Sequence, residues 1–157
     1  MLHVDPLEDQ ARRLVSAANI LAVSTFVPLI DKYPFLKQCA PKDWDFFATA
    51  AAIHVAIASL IRSVSSERFK LLYLAVVPEI HNWNQQSEDA ILDCQRFIKR
   101  TLDAQPAGAG SVLPSDALGM WIIWNLLLRA PTYEEAQASR SIGRALAAPL
   151  RDWWDSK

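Results

Sequence analysis

The sequence predicts an all-α fold, a single domain over residues 1–157 with about six helices around one core. Three observations carry that prediction. Apolar residues recur at spacings of three and four along nearly the whole chain, while no segment alternates with period two and no Asn-Gly or Asp-Gly marks a hairpin. Only four Gly occur in 157 residues, which disfavours tandem tight turns and a Gly-rich phosphate loop. Hydrophobic residues make up 52% of the chain against 21% charged, enough to build a core without disulfide staples.

Asp5-Pro6 opens the first helix, with Pro at the first helical position and Glu8 where a capping-box acid belongs. Leu7, Ala11, Leu14, Ala18, Leu21 and Thr25 form its stripe, and Pro28 is expected to end it. A loop over residues 31–41 follows, broken by Pro34 and Pro41. The second helix starts at Pro41-Lys42-Asp43. It carries two adjacent apolar stripes, Ala50, Ile53, Ile57, Leu60 and Val64 beside Phe47, Ala51, His54, Ala58 and Ile61. A helix apolar on so many sides belongs at the centre of the domain, with His54 mostly buried.

Ser65-Ser66-Glu67 restarts the chain as a third helix, with Phe69, Leu72, Tyr73, Val76 and Ile80 inward and Pro78 expected to kink or restart it. Residues 82–86 read as a turn and Ser87 as the cap of an amphipathic fourth helix, with Ile91, Cys94, Ile98 and Thr101 as its stripe. Residues 103–114 read as a flexible surface loop. Ser115-Asp116 caps a fifth, almost wholly apolar helix over residues 117–129. A T-x-x-E capping box at Thr132 and Glu135 starts the sixth, expected to run over residues 132–153 with Ile142, Leu146, Leu150 and Trp153 inward, unless Pro149 breaks it near Ala147.

Composition excludes several function classes. Sixteen basic against 17 acidic residues give a net charge of −1, so no nucleic-acid or anionic-membrane partner is expected. Residues 14–30 and 46–61 are charge-free but shorter than the roughly 20 apolar residues of a span, and they read as buried core helices. The N-terminus lacks the basic and apolar regions of a secretory signal, and the two cysteines, Cys39 and Cys94, fit neither a zinc nor a redox spacing. The expected location is cytoplasmic.

No convergent catalytic set stands out. The three histidines lack helical HxxxH or ExxH spacing, and Glu79 and His81 point to different sides of a helix, so no metal and no cofactor is expected. Neither Ser65-Ser66 nor Ser139 and Ser141 has a neighbouring His. The paired acids Asp43/Asp45, Glu88/Asp89 and Glu134/Glu135 all complement helix dipoles. An enzyme built on His81, Glu79 and Tyr73 has no support in the spacing.

Tryptophan and arginine carry the remaining signal. Trp153 and Trp154 point about 100° apart on the last helix, so one monomer cannot easily bury both. With Arg140, Arg144 and Arg151 on the same helix, they mark an interface. The sequence therefore predicts a non-enzymatic interaction protein that self-associates, with a dimer favoured and a protein partner as the alternative occupant. The competing prediction is a small-ligand or cofactor-binding helical domain whose pocket is lined by His54, Trp121, Trp124, Tyr73 and Phe47.

Overall fold

Six α-helices follow one another among the described residues: α1 (Pro6–Lys32), α2 (Pro41–Ser63), α3 (Ser66–Trp83), α4 (Ser87–Asp103), α5 (Pro114–Leu127) and α6 (Tyr133–Asp155). The computed structural model describes residues 6–105 and 112–155, leaving aside the side chains of Leu60, Arg151, Trp153, Trp154 and Asp155. A 3-10 turn, Pro34–Gln38, joins α1 to α2. The fold is the expected all-α bundle.

Helix α2 packs against all five other helices. Every residue from 48 to 53 is buried, and four of the six are alanines, which let neighbours approach on all sides. Trp44 locks α2 to α1: it is fully buried, donates its indole N–H to the Ala22 carbonyl at 2.8 Å and stacks on Phe26 at 5.3 Å. The inner face of α1 is Ala11, Leu14, Val15, Ala18, Ala22, Phe26 and Leu29, while the expected Leu7, Leu21 and Thr25 lie at its edge.

None of the interior prolines breaks its helix. α1 continues past Pro28 to Lys32, α3 runs through Pro78, and α6 runs through Pro149 to Asp155. All three prolines sit on water-facing positions. There the carbonyl four residues earlier, deprived of its amide partner, can be hydrated instead of buried unpaired.

Helices α5 and α6 meet backbone to backbone. A Cβ on Gly119 would lie 1.8 Å from the Ser139 carbonyl oxygen, and one on Gly143 would lie 1.7 Å from that of Ser115. Ser115 and Gly119 on α5 thus face Ser139 and Gly143 on α6, four residues apart in each helix, the spacing that puts small residues on one face. Leu128 turns the chain between them in a left-handed conformation, with φ 54°. The expected capping box follows: Glu135 N–H donates to Thr132 Oγ1 at 3.2 Å, and Thr132 N–H donates to Glu135 Oε1 at 2.9 Å. Arg129 grips both carboxylate oxygens at 2.8 and 2.9 Å, and these bonds with the Thr132 amide pull the Glu135 pKa down to about 2.

Other starts differ from expectation. Ser87 lies inside α4, one residue past the Gln86 cap, and its buried hydroxyl donates to the Ile80 carbonyl instead. Helix α5 begins at Pro114 behind Leu113, whose N–H donates to Asp116 Oδ2 at 3.1 Å. In the expected surface loop, Asp103 closes α4 and Pro114 opens α5, and residues 106–111 lie outside the described residues. Gln105 bonds both backbone groups of Val112, which clamps the ends of that segment together.

Candidate functional site

The five expected pocket residues fall in three places. Trp121 is buried and donates its indole N–H to Asp93 Oδ2 at 2.8 Å. Phe47 meets it edge-on at 5.6 Å and continues through Phe46 to Trp83, a row of four rings tying α5, α2 and α3 together. Trp124, one turn from Trp121, is half exposed and walls a separate apolar groove of about 160 Å³ with Phe97, Met120 and Pro131. His54 and Tyr73 share a third place, a cavity of about 100 Å³ between α2, α3 and α4.

His54 and Ala58 also line a second cavity, of about 240 Å³, bounded by Arg62, Ile98, Ser115 and Leu118. The imidazole therefore stands in the partition between two spaces. It makes no hydrogen bond among the described residues, and burial holds its pKa below the ordinary 6.5. It is neutral at physiological pH. The carboxylate that lines the smaller cavity, Glu88, is occupied by His81 at 2.7 Å. No nucleophile, base and orienting group converge here, and no cluster of three or more His, Cys, Asp or Glu is found among the described residues.

Of the expected interface residues, Arg140 and Arg144 are exposed on α6, and Arg140 Nε lies 3.6 Å from Asp116 Oδ1. The side chains of Arg151, Trp153 and Trp154 lie outside those described.

A stretch of unspent apolar surface lies elsewhere, on the outer face of α1. Arg12, Ser16, Ile20, Val23, Val27 and Asp31 form one exposed stripe along it. Ile20, Val23 and Val27 keep 65, 47 and 67% of their surface in contact with solvent. By length and composition alone α1 and α2 could each cross a membrane, but about half of the most apolar stretch of α2 is buried (53%) and only 28% of that of α1. A second exposed apolar corner joins Trp124 to Leu128 and Tyr133 at the α5–α6 turn.

No family model, curated protein or solved structure matches this chain. Its own surfaces and cavities therefore carry the functional assignment. The outer face of α1 was legible only indirectly: a charge-free run of 17 residues, 14–30, is more than a helix buried on one side needs.

Proposed function

We propose that this chain is a non-enzymatic helical interaction module that forms a homodimer through the outer face of α1. One observation carries the proposal: a surface helix whose outward stripe holds three large β-branched residues where a monomer would place polar ones. The proposal treats α1 and α2 as bundle helices and the protein as cytoplasmic, and the buried run at residues 48–53 supports the bundle. The apolar corner at Trp124, Leu128 and Tyr133 offers a separate protein partner a place to dock. Sedimentation velocity across a dilution series tests self-association: the wild-type chain should move from dimer to monomer on dilution, and Ile20→Glu should be monomeric at every concentration. A wild-type chain that stays monomeric at high concentration refutes the proposal.

A second reading, a small-ligand-binding domain, is favoured by the two cavities that share His54 and Ala58. Native mass spectrometry of the purified protein tests it. A co-purified small molecule, lost in a His54→Trp variant that fills the partition, would support it, and a bare chain would count against it.

A further inference from the structure

The outer stripe of α1 has the same spacing in both directions. Its exposed members, Arg12, Ser16, Ile20, Val23, Val27 and Asp31, are spaced four, four, three, four and four residues apart. Reversal about a point between residues 21 and 22 exchanges Arg12 with Asp31, Ser16 with Val27, and Ile20 with Val23. We infer that a second copy of this chain docks on this face antiparallel, about a twofold axis at that point, with Arg12 of each copy on Asp31 of the partner subunit. The inference rests on the self-association proposed above and adds its geometry.

A twofold interface is self-complementary, so every contact is made twice and the patch must match its own reversal. This stripe does. Ile20 meets the partner's Val23 on either side of the axis. Ser16 meets the partner's Val27, a small residue against a branched one, which lets side chains interdigitate. The inner spacing of four, three and four is that of a short coiled-coil seam.

Charge selects the direction. Arg12 and Asp31 stand at opposite ends of the stripe, about 28 Å apart along the helix. A parallel docking would set Arg12 on Arg12 and Asp31 on Asp31, which like-charge repulsion opposes. Two of the neighbouring charges are engaged within the chain. Arg13 is held by Asp9 on its own helix at 3.0 Å, and Lys32 turns onto α6 and donates to Ser141 Oγ at 3.4 Å. Asp31 has no partner among the described residues, and Arg12 reaches only Glu79, at 3.9 Å. A lipid surface is the weaker occupant, because a helix lying on a membrane flanks its apolar face with basic residues, whereas this one ends in an acid on one side.

A charge-swap cycle at low ionic strength, read by sedimentation velocity, tests the inference. Arg12→Asp and Asp31→Arg should each weaken the dimer about ten-fold, and the double variant should return to within about three-fold of wild type, since each dimer holds the pair twice. Both positions are exposed, and circular dichroism should show unchanged helicity. If wild type dimerises but the single variants do not weaken it, or the double variant is not restored, the antiparallel register is overturned while self-association stands. If wild type is monomeric at every concentration, the underlying proposal fails as well. Flotation of a monomeric wild type with phosphatidylcholine–phosphatidylglycerol vesicles would assign the face to lipid and overturn the inference.

Discussion

Of the two charge-free runs in this chain, residues 46–61 lie in the helix that packs against all five others, and residues 14–30 lie in one whose outward stripe is exposed. The two runs are alike in length and in apolar character. What separates them is place. α2 is threaded through the middle of the bundle, so each of its faces finds a partner within the chain. α1 lies at the edge: Ala11, Leu14, Val15, Ala18, Ala22, Phe26 and Leu29 are buried and Asn19 bonds Thr49, but its outer face stays exposed. Hydropathy measures how much surface gains from leaving water. The topology decides which part of that gain one chain can collect, and the remainder on α1 is the basis for the proposed dimer.

Three substitutions sharpen the contrast. The largest effect belongs to the joint between the two helices. Trp44→Ala removes a fully buried ring, its stack on Phe26 and its bond to the Ala22 carbonyl, and should cost about 3–5 kcal/mol in denaturant unfolding. A loss under about 1 kcal/mol would mean that α1 is not anchored on α2 as described.

A smaller effect comes from His54, on α2. Burial lowers its pKa below 6.5, so the unfolded chain takes up the proton first. Stability from this residue is complete above pH 6.5 and declines as the pH falls below it. Urea midpoints measured from pH 7.5 to 5 should fall more in wild type than in His54→Leu. Equal slopes would place the imidazole in water.

The smallest effect is expected on α1. Ile20→Glu changes an exposed position and should alter the stability of the monomer, measured at high dilution, by no more than about 0.5 kcal/mol. A large loss would make Ile20 a core residue and dissolve the contrast between the helices.

Much of the fold could be read from residue spacing because helix starts and inward stripes are local signals. The capping box at Thr132 and Glu135, and the stripe of Ile91, Cys94 and Ile98, depend only on neighbours three and four residues away. Pro28 misled for the opposite reason. Whether a proline ends a helix depends on whether the orphaned carbonyl faces water, and that is decided by tertiary packing. The pocket was misassembled for a similar reason. Trp121 and Trp124 are neighbours on α5, yet one enters the aromatic row and the other faces the surface, which no single-helix pattern distinguishes in an almost wholly apolar segment. The Ser115/Gly119 and Ser139/Gly143 contact was written in the spacing of four, but its meaning needed the knowledge that α5 and α6 lie side by side. The stripe on α1 was hidden by its own hydropathy, since both faces of the helix are apolar.

The most direct test of the α1 dimer is a cysteine cross-link between two differently labelled chains in a Cys39→Ser background, Cys94 being buried. One chain carries Ser16→Cys and the other Val27→Cys. A disulfide needs Cα atoms within about 7 Å, and in the antiparallel arrangement position 16 faces position 27 of the partner subunit while lying about 16 Å along the axis from its own copy. Mild oxidation should therefore give covalent dimers from the mixture and not from either chain alone. Covalent dimers from each single chain, with none specific to the mixture, would contradict the account.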